Sequence, residues 1–528
     1  IAYEVGADLH IVPGSRTRIE AGQLKALEGV DGVGPVTKAL RQRAVYGTTA
    51  IGQDFMLLAV ESLAYPKIAS FREDFAQKPV KDLLARLHVN IKPDPIYLPE
   101  GTTEIGVWAR TDPPVRNHFL WAVLRDPNGR NMTVTLGPIA GEWTYQSAEV
   151  PQDIQGPIEL VSLQTFEQAG PDGGHPTLLY LDDLQAIRGN APGGPRVELL
   201  SDFEEPGLWT GLPTSDGLDT TYGMAGEPAG LGTAVIGSAP GRTVARVVMG
   251  RGTDNGVRGI YRTATAAPIP VLANPLFLQA TNAREGEPFV AAVSGAYAPV
   301  VIVGTVTYFP TLDPLRQPFL IGDVDTLIEF LELRGLSEFR ANEVFVGLEP
   351  GAKKEEVMRR VRLVFSGANL GDRAALLAES VIDPLAVAGW RGIGIVAVAL
   401  AAVAAVMGYV TYLGAHARRT RADAAYMRSL GLSRGGYLRM VLVEHSLVGI
   451  LGVGLGIASG LVVSGLAVTS IAHTATGREL VPPFVLQTNW LAAALLLGAV
   501  AVAAAMAIAA ILRAYSRAPV HELVRAGG

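Results

Sequence analysis

Three apolar runs near the C-terminus constrain this chain more than any other feature. They lie at about residues 392–413, 440–469 and 491–512 and consist largely of Ala, Val, Leu, Ile and Gly. Each holds at least ~20 apolar residues, enough at ~1.5 Å rise per residue to cross a hydrocarbon core of ~30 Å. Ala-rich runs of this length with almost no charge are rare in soluble cores. Residues 389–528 are therefore expected to form an α-helical transmembrane bundle with three spans. The mean hydropathy of the 528 residues, +0.27, comes from this end, because the first 385 or so have ordinary mixed composition.

Basic residues set the expected orientation. The loop at 414–439, after the first run, carries Arg418, Arg419, Arg421 and Arg428, with Arg434 and Arg439 at its end, against Asp423; the tail carries Arg513, Arg517 and Arg525. The connection between the second and third runs has only Arg478, beside Glu479. The positive-inside rule places the first loop and the C-terminus in the cytoplasm and residues 1–389 outside a cell membrane. Trp390 and Trp490 then mark the outer interface, and Tyr412 and Tyr515 the inner one. The stretch IAYEVGADLHIVPG has neither the basic start nor the long apolar run of a signal peptide. A transmembrane helix or cleaved signal is thus expected upstream of Ile1.

The first 388 residues alternate in character. Residues 1–95 read as α+β: YEVGADLHIV as a strand, GQLKALEGVDGVGPV as a helix and Gly/Pro turn, SFREDFAQKPVKDLLARL as a helix. Residues 96–190 hold short β-branched and aromatic runs separated by turn text such as DPNG, which predicts an antiparallel β-sandwich of jelly-roll style. After the linker GNAPGGP, residues 191–267 read as a second, Gly-rich β module. The α+β text returns at 268–388, with IGDVDTLIEFLEL and KKEEVMRRVRLVF as helices and NEVFVGL as a strand. The economical reading is one extracytoplasmic α+β domain interrupted by two β modules, since insertions at surface loops cost the host little.

Several function classes are excluded or unsupported. With no cysteine there are no disulfides or thiolate metal sites. A net charge of −6 gives no argument for nucleic acid. No H-E-x-x-H motif is present, and Asp323 and Asp325 read as ordinary surface carboxylates. In the β modules, Trp108, Trp121, Trp143 and Trp209 are candidates for stacking on sugar rings, against the plainer reading that they fill the sandwich core. The acidic pairs Asp182/Asp183 and Asp202/Glu204, with Glu205, are candidate ligands of a structural Ca²⁺, which prefers oxygen donors.

The most specific text is RRTRADAAYMRSLGLSRGGYLRMVLVEHSLVGILGVGLGIASG, residues 418–460. A basic segment breaks at Gly431 and runs into the second apolar helix, which carries Gly452, Gly456 and Gly460 at four-residue spacing. Small residues so spaced let helices approach closely in lipid, either within the chain or against a second chain. Glu444 is an ionisable residue at the edge of the membrane, a functional candidate by default. With His445 beside it near the cytoplasmic face, the preferred reading is structural, with Glu444 pairing a nearby arginine.

This segment closely resembles the FtsX/MacB-type family of ABC transporter permeases, through Met427, Arg428, Leu430, Gly431, Leu432, Ser433, Glu444 and the three glycines. The tail SRAPVHELVRAGG resembles that family's ending. The likeness covers the last 140 residues well, the α+β halves loosely and residues 96–265 not at all. It implies a non-catalytic permease that passes the work of a cytoplasmic ABC ATPase dimer to an extracytoplasmic domain, with residues 427–433 as the coupling helix. No G-x-x-x-x-G-K-[ST] is present, so ATP and Mg²⁺ would sit on the partner ATPase and no cofactor on this chain. The family further implies a second permease chain or half beside it in the lipid bilayer. Its roles include export, lipoprotein or lipid handling and regulation of envelope proteins. The alternative is a membrane-anchored carbohydrate- or protein-binding protein that acts through its β modules, and a third reading is a membrane-bound enzyme acting on envelope polymers.

Overall fold

The computed structural model describes residues 2–14, 19–47, 52–92, 94–152, 154, 156–168, 174–189, 194–204, 209–214, 217, 219–226, 243–251, 257–265, 267–333, 339–379, 384–420, 426–427, 430–471, 481–485 and 489–517. The chain forms two compact units, residues 1–377 and 378–528.

The first unit begins with strands β1 (Leu9–Val12), β2 (Val33–Tyr46) and β3 (Gln53–Val60). The long β-rich stretch follows, with β4 (Ile96–Tyr97), β5 (Glu104–Asp112), β6 (His118–Arg125), β7 (Asn131–Pro138), β8 (Thr144–Glu149) and β9 (Glu159–Glu167). It continues through β10 (Thr177–Arg188), β11 (Arg196–Ser201), β12 (Trp209–Gly211), β13 (Thr220–Gly226), β14 (Thr243–Met249) and β15 (Val257–Arg262). Then come β16 (Ile269–Ala273), β17 (Pro288–Val293), β18 (Ala296–Thr305), β19 (Phe319–Asp323), β20 (Glu343–Leu348) and β21 (Asn369–Asp372).

Strands from both ends of this unit share one nine-stranded mixed sheet, ordered β17-β18-β16-β19-β3-β2-β20-β1-β21, in which β17 also pairs with β2. Six strands therefore close on themselves, and β20, β1 and β21 extend from β2 as a wing. The length of β2, 14 residues, makes this possible. One edge pairs first with β20 (Val36↔Val346) and then with β17 (Val45↔Ala292), while β3 runs along the other edge. Phe55, Leu57, Val271, Phe277, Ile302 and Leu320 fill the closed part. Helices Ala21–Glu28 and Lys354–Val364 cover the wing, with Leu27, Val357 and Val361 packed over Leu9, Ile11 and Val346. The β17–β18 turn needs left-handed backbone at both central residues, Ser294 (φ 47°) and Gly295 (φ 84°).

Local readings fail where a breaker was taken at face value. Gly34-Pro35 is a register shift inside β2 and not a turn. A Cβ on Gly34 would stand 3.2 Å from the Gly347 carbonyl oxygen, a tight contact, so the close strand approach favours glycine there. Conversely, Pro79 starts the only α-helical turn of SFREDFAQKPVKDLLARL at Val80–Leu84; before it lies just the 3₁₀ turn Glu73–Phe75. At the N-terminus, Ala2–Val5 is helical and only Leu9–Val12 is strand.

The β-rich stretch leaves and re-enters the host side by side. The Ala264 N–H donates to the Ile91 carbonyl at 3.0 Å, and Arg262 Nη1 to the Asp94 carbonyl at 2.6 Å. Residues 191–267 do not build a second module. Strands β11, β13 and β14 join β5, β8 and β10 in one six-stranded sheet, and β12 and β15 join β4, β6, β7 and β9 in another. The reason lies in the core: Ile105, Val107, Leu179 and Val247 of one sheet meet Leu120, Leu163 and Ile260 of the other in a single cluster. Without β14 and β15 those inward faces would be open. The DPNG text does turn the chain: Asp126 accepts from the backbone of Asn128 and Arg130 (2.9 and 2.8 Å), and Gly129 has φ 79°.

The second unit holds helices Pro384–Arg419, Arg434–Ile471 and Trp490–Arg517. Two are long and apolar enough to cross a membrane, over Gly392–His416 (25 residues) and Gly435–Leu466 (32 residues); Trp490–Met506 is a shorter apolar stretch. Ile395, Leu400, Met407, Ile450 and Leu455 are exposed by 65–72%, which suits hydrocarbon and not water.

Candidate functional site

The break before the second long helix is built by two residues. Gly431 adopts φ 93°, the Leu430 N–H donates to the Tyr426 carbonyl (3.2 Å), and the Leu432 N–H reaches back five residues to the Met427 carbonyl (3.1 Å). This is the bonding by which a left-handed glycine ends a helix and satisfies its last carbonyls. Two residues on, Ser433 Oγ accepts from the Gly436 N–H at 3.1 Å, and its carbonyl accepts from Tyr437 (3.2 Å). Ser433 is thus the N-cap of the next helix. The turn presents Leu430 and Leu432, 73% and 39% exposed, on either side of Gly431. Met427 is half-buried; Arg428 lies outside the described residues.

The first and second long helices meet at a polar cluster. His445 is buried against Tyr409, Tyr412 and His416, with ring centroids 5.4–6.2 Å apart. Glu444 Oε1 lies 3.8 Å from His416 Nε2. Among the described residues the side chain facing it is this histidine and not the expected arginine, because the helix approach brings His416 alongside. Among the described residues, Gly452, Gly456 and Gly460 are open: a Cβ on any of them would meet nothing within 4 Å.

The candidates in the β-rich part are placed differently from expectation. Trp209 is 4% exposed and packs on Phe203 inside the core, so it offers no face to a sugar. Trp108 points away from the core, since Val107 and Ala109 point into it, but it is closed over by Tyr145 at 5.7 Å and is 9% exposed. Trp121 stacks on Phe166 at 5.0 Å. Trp143 is half-buried, with the Arg110 guanidinium 5.6 Å from its ring centre. Asp182 and Asp183 are buried, and Asp182 accepts from the Asp183 N–H (2.9 Å); Asp202 accepts from the Glu204 N–H (3.1 Å). These oxygens cap backbone, and no three carboxylates or histidines converge on a metal position among the described residues. Glu205 lies outside the described residues. Asp323 is not on the surface: it is 2% exposed, caps the helix Val324–Glu332 at Thr326 N–H (3.1 Å), and accepts from the Ser62 hydroxyl (2.7 Å). Asp325 pairs with Lys38 at 2.6 Å.

Two buried ionic networks escaped the sequence reading. Glu343 accepts from Arg41 and from His10, and Arg41 also donates to the Thr311 hydroxyl (2.6 Å). Burial works to raise the Glu343 pKa, but these donors outweigh it and leave it at about 2. In the β-rich part, Arg258 is fully buried, donates to Glu167 at 2.6 Å and takes the Gly250 and His175 carbonyls. Their partners are 91 and 302 residues apart in sequence, so only the fold could reveal them.

The FtsX-like permease C-terminal family matches residues 395–519. This stretch is an FtsX-like permease domain. It contains the Gly431 break, the Glu444 cluster and the open glycine face, and it supports an ABC transporter permease-type membrane protein. FtsX-like permeases generally work with an ATPase partner and are non-catalytic transport components. No curated protein matches the chain significantly.

Proposed function

We propose that this FtsX-like protein is the permease subunit of an ABC complex and transmits ATP hydrolysis on a separate cytoplasmic ATPase dimer to a domain outside the membrane. In this reading the three long helices span the bilayer, residues 414–439 and the C-terminus face the cytoplasm, and residues 1–389 lie outside. ATP and Mg²⁺ bind the partner. The exposed Leu430 and Leu432, held apart by a glycine stop and a serine cap, insert into an apolar groove on the ATPase. Movement of that knob then tilts the second helix. The host domain and its β-rich insertion respond as one body and hold or release an envelope partner, in export, lipid handling or envelope-protein regulation. A second permease chain or half completes the membrane part.

The observation that carries this reading is the hydrogen-bonded turn at Gly431 and Ser433, set within the family match, with two leucines exposed on it. The test is a gentle-detergent pull-down of wild type against Leu430→Asp plus Leu432→Asp, with ATPase activity assayed in the eluate. Co-purification of an ATPase that the double variant loses supports the reading. If no ATPase appears with wild type, it fails, and the chain is better read as an anchored binding protein.

A further inference from the structure

We propose that the free edge of β11 binds an extended peptide as an added strand, and that the cavity beside it takes one bulky apolar side chain of that peptide. β11 pairs with β10 on one side. On its other side no backbone hydrogen bond is made among the described residues. Such an edge presents a row of N–H and C=O groups on which a further strand can form. The ladder with β10 is regular over Arg196–Leu199, and Leu200 is the extra residue of a bulge before the Leu184↔Ser201 pair.

A cavity of about 230 Å³ runs along this edge, and every residue from Leu199 to Phe203 lines it. Consecutive residues of an extended chain point to opposite faces, so a space met by all of them lies against the chain's edge and not over one face. The opposite wall comes from the other sheet, with Ile96 of β4, Trp209 of β12 and Arg262 of β15. The cavity is therefore the open seam between the two sheets. Its floor is fixed. Phe203 is 1% exposed at φ 57°, an unfavourable backbone for an aromatic residue. Trp209 packs on it with ring centres 5.3 Å apart, and the Tyr222 hydroxyl donates to its carbonyl at 3.0 Å.

Size, edge and charge select the occupant. The volume is below the ~300–1,000 Å³ of pockets that enclose a small molecule, and it opens along a strand able to hydrogen-bond. A free sugar or an acyl chain would leave that edge unused. A peptide strand uses both: main-chain bonds to Arg196–Leu199 hold it, and the side chain that reaches the bulge enters the seam. There it covers Leu199, which is 46% exposed, and meets Ile96 and Trp209. Asp202 sets the charge. One of its oxygens accepts from the Glu204 N–H (3.1 Å), and the residue lines the cavity, so a lysine or arginine beside the apolar residue is favoured. The inference names the kind of partner that the insertion holds and rests on that reading, but the binding itself needs no ATPase.

The test is fluorescence anisotropy of the full-length protein in detergent with labelled seven-residue peptides. These alternate threonine and valine, end in lysine and carry leucine, phenylalanine or glycine at the centre. The leucine and phenylalanine peptides should bind at least tenfold tighter than the glycine peptide, and methylation of the backbone nitrogens should abolish binding. Leu199→Asp should weaken the leucine peptide at least tenfold. Asp202→Asn should weaken it severalfold, and less at high salt. Unfolding midpoints should not change, because both side chains are partly or fully exposed. Equal binding of the methylated peptide would show that no strand is added, and equal binding of the glycine peptide that the cavity is unused. Either result would overturn the proposal, as would wild-type affinity in Leu199→Asp or no binding of any peptide. Dimerisation of the protein alone, lost in Leu199→Asp, would give the edge to a second copy instead. Peptide binding without a co-purifying ATPase would keep this site and sink the permease reading, and a co-purifying ATPase without peptide binding would do the reverse.

Discussion

Arg125 on β6 of the insertion donates to Glu329 in the host helix Val324–Glu332 at 2.9 Å, and its side chain is only 9% exposed. The contact is one of several around the end of that helix. Asn131 Nδ2 donates to the Glu332 carbonyl (2.6 Å), and the Ser162 hydroxyl and Gln164 amide both donate to the Leu333 carbonyl (2.8 and 3.1 Å). The last carbonyls of a helix lack partners within it, and here the insertion supplies them. Val161 and Tyr261 of the insertion also enter the host core, with Tyr261 edge-on to Phe330 at 5.4 Å. The insertion is therefore bonded to its host and packed into it, and a shift of one displaces the other.

Arg125→Ala should destabilise the first unit by about 2–3 kcal/mol. Removing one member of a buried pair leaves the other charged and unpaired, here Glu329 and also Glu159, 3.7 Å from Arg125. Partial exposure of Glu329, 26%, keeps the cost below that of a fully buried pair. Adding Glu329→Gln should recover part of it. Chemical unfolding of the detergent-purified variants measures both, and additive losses would show that the pair is not coupled.

Glu343 should make the same unit acid-sensitive at low pH. Its folded pKa of about 2 lies below the ordinary 4.5, so the unfolded state takes up the proton first. Stability is present above pH ~4.5 and is lost as pH falls toward ~2, by about 3 kcal/mol in total. Glu343→Gln should lose a similar amount at neutral pH and show no slope in that window. An unchanged slope in the variant would assign the acid sensitivity elsewhere.

His118 predicts a second window, higher in pH. It is 1% exposed with neither ring nitrogen hydrogen-bonded among the described residues, and its backbone pairs with that of Glu167. Burial, reinforced by Arg258, lowers its pKa from 6.5 to about 4. Because the unfolded state binds the proton more tightly, stability falls between pH ~6.5 and ~4, again by about 3 kcal/mol. His118→Leu should remove that slope and be at least as stable as wild type at pH 7.5, since an unpaired buried polar ring contributes no hydrogen bond. Thermal midpoints across pH 4–7.5 give the answer.

What the sequence shows and hides follows from range. The apolar helices, the Gly431 break, NEVFVGL and the DPNG turn are local patterns, and each is visible in a window of a few residues. The strand pairing Val45↔Ala292, which closes the host sheet, joins residues far apart and leaves no local mark. The same holds for β14 and β15, whose sparse text suggested a separate module although they complete the two sheets of the first.

Gly431→Val should impair coupling without unfolding the protein. At φ 93° a β-branched residue is strained, costing roughly 1–2 kcal/mol, while a Cβ there would meet no neighbour. The turn should therefore loosen locally. ATPase association is expected to weaken, and Ser433→Ala, which loses an N-cap worth ~1 kcal/mol, should do so less. Wild-type coupling in both variants would mean that the turn's geometry is not what the ATPase reads.

The open glycine face yields the last prediction, because lipid gives helices no hydrophobic reason to associate and only close backbone packing remains. A Cβ on Gly456 would meet nothing within 4 Å among the described residues, so the isolated chain carrying Gly456→Leu should fold as before. If the face meets a second permease chain, the same leucine holds the two backbones apart. The chain has no cysteine, so Ser459→Cys provides a single reporter three residues along the helix. Oxidative cross-linking in membranes should give a disulfide-linked dimer from the reporter alone and lose it when Gly456→Leu is added. A cross-link that survives the leucine would show that the chains meet on another face. Absence of any cross-link would show that this face packs against a different partner or against lipid.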